Sequence, residues 1–286
     1  MLTVVGLVLV VAMVLGGFIM EGGAVGVLMQ VAEFIIIGGA ALGILVSAAP
    51  GKVLSALIKG VIKALTGSGV GKKEYMELFH LMFETFTTMR KNGDMALEKD
   101  VDDPKSSAIF SKYPGFLKNH EARNLLCDSL RLIISGSANP HELENLIDEE
   151  LATFDEEAER PAALLVKVAD ALPGLGIVAA VLGIVITMQY LDAGPLVIGH
   201  KVAAALVGTF VGILVSYGFL QPIATKMEML HVEERKYLDC IKAGIMAHLH
   251  GAAPIISVEH ARRVCFSGER PSASELEDAC RGAKAA

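Results

Sequence analysis

Charge is missing where an ion-conducting protein would be expected to hold it. Four apolar stretches, at about residues 2–20, 34–49, 171–191 and 202–220, have no Asp, Glu, Lys or Arg in their central turns. Ionisable groups inside a bilayer are rare and usually mark ion pathways, so a transporter working alone is expected to carry at least one. This chain therefore reads as a scaffold that depends on charge supplied by another molecule.

Other absences narrow the field further. The four cysteines, Cys127, Cys240, Cys265 and Cys280, are 113, 25 and 15 residues apart, so neither a C-x-x-C pair nor a zinc spacing exists. They read as structural thiols in a compartment that keeps them reduced. His248-x-His250 lacks the helical spacing of a metal pair, and no metal or other cofactor is expected. There is no phosphate loop, nucleophile elbow or catalytic carboxylate pair, which argues against an enzyme. No Lys/Arg block points to nucleic acid. The first apolar stretch has no basic segment before it and is followed almost at once by the next, which argues against a secretory signal peptide.

What remains is a polytopic membrane pattern. The chain of 286 residues is 53% hydrophobic yet carries 25 basic and 32 acidic side chains, with a net charge of −7. Each apolar stretch is close to the roughly 20 residues that a helix needs to cross the hydrocarbon core. Fifteen of the Lys and Arg residues lie between positions 50 and 170 and nine after 220; Lys201 is the remaining one. The positive-inside rule, read from Lys52, Lys59, Lys63, Lys226, Arg235 and Lys236 near the span ends, places both large polar segments and both termini in the cytoplasm.

The expected fold is all-α: four transmembrane helices and a helical cytoplasmic domain. Residues 1–49 hold the first two spans and 50–170 the cytoplasmic helices. Spans three and four occupy 171–220, a cytoplasmic helix follows over 221–265, and 266–286 reads as a disordered tail. From Lys72 to Met89 the residues Met76, Phe79, Phe83 and Phe86 mark one helix face, and Asn92-Gly93-Asp94 should stop that helix. A second helix opens at Asn139-Pro140 with Glu142 as a capping acid. Its apolar stripe is Leu143, Leu146, Ile147, Leu151 and Phe154, and its acidic side reads as a solvated face.

Several smaller features carry more than one reading. Gly39-x-x-x-Gly43 and Gly208-x-x-x-Gly212 allow close helix packing. Pro173 and Pro222 sit near the cytoplasmic boundary, where each suits a hinge or plain helix termination. Thr209 either bonds back to its own helix or faces a hydrated path. Arg90 and Glu98 present opposite charges on either side of the Asn92-Gly93-Asp94 break.

Taken together, these motifs resemble the MotA flagellar motor stator family. The resemblance rests on Ala205-Leu206-Val207-Gly208-Thr209-Phe210-Val211-Gly212-Ile213-Leu214 with Pro222 beyond it, on Ala171-Leu172-Pro173-Gly174-Leu175-Gly176, and on Thr88-Met89-Arg90-Lys91-Asn92-Gly93 through Glu98. It covers nearly the whole chain. It implies a multi-pass protein of the bacterial inner membrane, assembled as a homo-oligomeric ring of five copies around two MotB chains in the lipid bilayer. MotB would supply the ion-binding aspartate of a proton channel whose flow turns the rotor. On the same resemblance Arg90 and Glu98 contact the rotor protein FliG, Pro173 and Pro222 couple ion passage to movement, Thr209 lies along the ion path, and Gly208 and Gly212 pack the helices. The alternatives are a TolQ/ExbB-like energiser of the outer membrane, which has three spans and no torque loop, and a membrane scaffold that conducts nothing.

Overall fold

The computed structural model describes residues 2–67, 69–137 and 139–282. Regular structure among these residues is helical. The first half holds α1 (Leu2–Met20), α2 (Val31–Ala48), α3 (Gly51–Thr66), α4 (Lys72–Asn92), α5 (Glu98–Asp102), α6 (Pro114–Lys118) and α7 (His120–Ser135). The second half holds α8 (Pro140–Thr187), α9 (Pro195–Val215), α10 (Gln221–Leu249), α11 (Pro254–Val264) and α12 (Ala273–Gly282). Four stretches are long and apolar enough to cross a membrane: α1, residues 25–48, and parts of the long helical runs 140–193 and 195–249.

The chain divides into two compact units, and α8 and α10 contribute to both. The first unit comprises residues 1–68 and 157–229. Its small core is Ile37, Leu172, Ala179, Val207 and Val211, contributed by α2, α8 and α9. None of the α1 side chains is buried within the chain, so its apolar surface is left for lipid or another subunit. α3 is amphipathic: Leu57 and Ala64 are buried while Lys52, Lys59 and Lys63 ride on its other faces.

The second unit comprises residues 69–156 and 230–286. Its core is built on α4, where Tyr75, Leu78, Phe79, Leu81, Met82, Phe83, Phe86 and Met89 are all buried. The buried face is thus wider than the stripe read from the sequence, and Met76 lies at its edge, half-buried. α4 ends at Asn92 as expected, because Gly93 takes φ +79°, a conformation that side chains disfavour. α8 opens with the expected capping pair: the Glu142 amide donates to Asn139 Oδ1 at 3.0 Å and the Asn139 amide to Glu142 Oε2 at 3.1 Å.

Three expectations change. The helix from Pro140 and the third span are one 48-residue helix that runs through Pro161 and Pro173. The acidic side of α8 is partly paired: Asp148 accepts from Lys242 Nζ at 2.7 Å, and Asp155 meets His231 and Arg235. The stretch read as a disordered tail carries α12, whose Leu276 and Cys280 are buried, while Glu275 accepts from Lys72 Nζ at 2.7 Å. Composition hid the apolar pair because it occurs at a four-residue spacing within otherwise polar sequence. Residues 283–286 lie outside the described part. All four cysteines are buried outside any disulfide, and the Sγ atoms of Cys240 and Cys265 are 3.6 Å apart.

Candidate functional site

Two places gather the residues singled out in the sequence. In the first unit α8 and α9 meet backbone against backbone. A Cβ on Gly176 would fall 2.7 Å from the Gly208 carbonyl oxygen and 3.3 Å from Gly212 Cα; one on Gly212 would fall 2.6 Å from the Leu172 carbonyl. Glycine at these positions is therefore a steric requirement of the contact. The other small-residue pair, Gly39 and Gly43, faces open space within the chain.

Thr209 is half-buried at this contact, with its hydroxyl 3.5 Å from the Gly176 carbonyl on α8. Thr187, by contrast, satisfies itself by donating to Gly183 one turn back at 2.8 Å. Pro173 lies three residues before Gly176. Having no N–H, it leaves the Ala169 carbonyl without its helical donor, and the buried Ser216 hydroxyl donates to that oxygen at 2.6 Å. Beside it, Gln221 Nε2 donates to Asp170 Oδ1 at 3.0 Å. Ser216 begins a π turn, Ser216–Leu220, that runs on into α10, and Pro222 lies inside this continuous helical run. Neither proline ends a helix.

One residue at this site escaped the sequence reading. Glu33, immediately before the apolar stretch 34–49, lies in the first turn of α2 and is only 7% exposed. Its Oε2 is buried without a hydrogen-bond partner. A Cβ on Gly208 would sit 2.5 Å from that oxygen, and one on Gly183 would sit 3.6 Å from Oε1. Gly208 thus makes room for a carboxyl group as well as for helix packing. The signal was present in the sequence, since Glu33 is one turn before Ile37, which is buried on the same face.

In the second unit, Arg90 and Glu98 are both exposed, on either side of the chain reversal at Gly93. Between them a short 3-10 turn, Asp94–Leu97, is anchored by Leu97, which is fully buried. Arg90 Nη1 donates to the Ala252 carbonyl at 3.2 Å, which steadies the guanidinium at the surface. Beneath this corner the His248 ring stacks on Phe86 at 4.5 Å. Burial holds the His248 imidazole below its ordinary pKa, with Asp94 opposing the shift and Arg90 adding to it. Glu98 stands in the first turn of α5.

Comparison with known proteins places these features in context. Residues 4–93 match the Motility protein A N-terminal family and residues 117–239 match the MotA/TolQ/ExbB proton channel family. The Motility protein A of Salmonella typhimurium is 40% identical over 284 residues, 99% of this chain and 96% of that protein. The Motility protein A of Escherichia coli K12 has the same identity and coverage. Chemotaxis protein LafT of Vibrio parahaemolyticus is 34% identical over 95% of both chains. Among solved structures, a chain of C. jejuni MotAB superposes with a TM-score of 0.77 at 21% identity, covering 94% of this chain and 98% of that one. A chain of the Bacillus subtilis flagellar MotAB stator complex gives 0.73 at 20%, covering 96% and 98%.

Proposed function

The chain belongs to the motility protein A branch of the MotA/TolQ/ExbB proton channel family, and we propose that it is a stator subunit of the flagellar motor, passing protons with a MotB partner and converting their flow into force on the rotor. The observation that carries this reading is similarity over essentially the whole chain to motility proteins A, the segment around Arg90 included. A TolQ/ExbB-like energiser fits less well, because the chain has four membrane-length stretches and matches the motility-specific N-terminal family over residues 4–93. The family is one of channel-type proteins and not of enzymes.

In this reading both termini and the second unit are cytoplasmic, and copies of the chain form a ring around MotB helices in the inner membrane. MotB carries the principal ion-binding aspartate. Each proton crossing 100 mV releases about 2.3 kcal/mol, comparable to a shift between two packings that differ by a few hydrogen bonds and contacts. The α8–α9 contact supplies such a place: Thr209 against Gly176, and Pro173 with its carbonyl held by Ser216. Protonation of the partner's aspartate alters the packing at this contact, and α8 and α10 carry the change to the second unit. There the exposed Arg90 and Glu98 meet opposite charges on FliG.

The test is a strain lacking only this gene, scored for swimming and, by electron microscopy, for filaments. Normal filaments that do not turn, and that turn again when the gene is restored, are expected. Loss of filaments, or an outer-membrane defect in cells that swim normally, would refute the reading.

A further inference from the structure

We infer that Glu33 is a proton-binding station of this chain, separate from the carboxylate supplied by the partner; the inference rests on the reading of the chain as a proton-conducting stator. The group is built into the membrane unit. Glu33 is more than nine-tenths buried, Oε2 has no hydrogen-bond partner, and the surfaces facing it are glycine and alanine: Gly208 and Gly183, with Ala179 and Ala205 beside them. The residues that frame the carboxyl on α8 and α9 carry no charge, and its own helix contributes Phe34 and Ile37 as neighbours in sequence and along the face. A lone ionised carboxylate in such surroundings is expensive and is rarely kept without a purpose. A salt-bridge role would need a cation, and a structural role would need a donor for Oε2.

The glycines make the same point sterically. A Cβ at Gly208 would press on Oε2 at 2.5 Å and on the Ala179 Cβ at 3.0 Å, so glycine at this position leaves the space that the carboxyl group occupies. Gly208 precedes Thr209, whose hydroxyl lies at the same helix contact. In the orientation proposed above, Glu33 opens α2 just after the outward-facing connection. A proton from hydronium on that side adds to Oε2, forming a carboxyl O–H and leaving water. Onward transfer breaks that O–H, restores the carboxylate and places the proton on the partner's aspartate. No electrons change hands.

The experiment measures proton uptake by membranes containing this chain and its single-span partner, with co-purification of the two as the check on assembly. Glu33→Gln should assemble and conduct about a hundredfold less, the scale on which one positioned acid–base group acts. Glu33→Asp should retain part of the flux, and Gly208→Ala should reduce it. Flux in Glu33→Gln equal to the parent overturns the inference; absence of flux in the parent overturns the stator reading itself. If Glu33→Gln does not assemble, the parent complex decides. Dicyclohexylcarbodiimide, which attacks carboxyl groups carrying a proton in apolar surroundings, should modify Glu33 and block flux. Flux blocked with Glu33 unmodified, or Glu33 modified with flux intact, overturns the inference.

Discussion

Ser216 restores the hydrogen bond that Pro173 removes. Proline at position 173 leaves the Ala169 carbonyl without an N–H four residues on, and the Ser216 hydroxyl reaches it from the opposite helical run at 2.6 Å. The bond explains how a 48-residue helix passes through a proline without a buried carbonyl left unpaired, and it ties the Pro173 region to the π turn ahead of Pro222.

Ser216→Ala should therefore lower stability by about 1–3 kcal/mol, the cost of an unsatisfied buried acceptor. In a Pro173→Ala background, residue 173 regains its N–H and the hydroxyl becomes redundant, so the same substitution should cost far less. A double-mutant cycle on the thermal stability of the purified complex reads the difference. Additive effects would show that the two residues are not linked.

Substitution at the glycines should separate by position. Gly212→Ala places a Cβ 2.6 Å from the Leu172 carbonyl and 3.1 Å from Gly176 Cα, both backbone atoms, so the helices must part. A loss of about 1–3 kcal/mol is expected, along with reduced motility. Gly39→Ala, with nothing within 4 Å of the new Cβ inside the chain, should leave the subunit's own fold unaffected. Swimming speed and protein level measured together distinguish a folding defect from a functional one.

Charge reversal at Arg90 and Glu98 should abolish rotation and leave folding nearly unchanged. Both side chains are exposed, and surface interactions of this kind contribute at most about 1 kcal/mol. Reversed charges on the rotor should recover part of the speed of Arg90→Glu cells. Normal rotation in cells carrying both Arg90→Glu and Glu98→Lys, with an unaltered rotor, would show that these charges do not transmit force.

Acid should weaken the second unit in two stages. Burial depresses His80 and His248 in the folded chain, with Glu84 opposing the shift at His80. The unfolded chain then binds more protons near pH ~6.5, so the stability that the neutral rings contribute is present above that pH and is lost as pH falls through their lower folded values. Hydrogen bonds from Arg262 and then Arg263 lower Glu259 to about 2, so its contribution is present above 4.5 and disappears as pH falls toward about 2. His248→Phe, which keeps the ring against Phe86, should flatten the upper stage in thermal unfolding across pH. An unchanged slope would assign that stage to other groups.

The sequence carried the helical class and the four spans, because each depends on local pattern, above all the length of apolar runs. Asn92-Gly93 and Asn139-Pro140 were legible as boundaries for the same reason. Less legible were features that depend on what folds against what. Glu33 stands just outside the apolar stretch 34–49, and only the space left by Gly208 and Gly183 places its carboxyl among the helices. The role of Ser216 emerges only with Ala169 beside it. The acidic face of α8 reads as solvated until Lys242 and Arg235 from α10 are brought against it.

The most direct test of a proton-driven stator is the rotation speed of beads attached to flagella in cells whose only stator contains this chain, recorded as a protonophore collapses the proton gradient at constant sodium. Speed should fall in proportion to the proton motive force and return when it is restored. Rotation that persists without a proton gradient, or that follows sodium instead, would contradict the account.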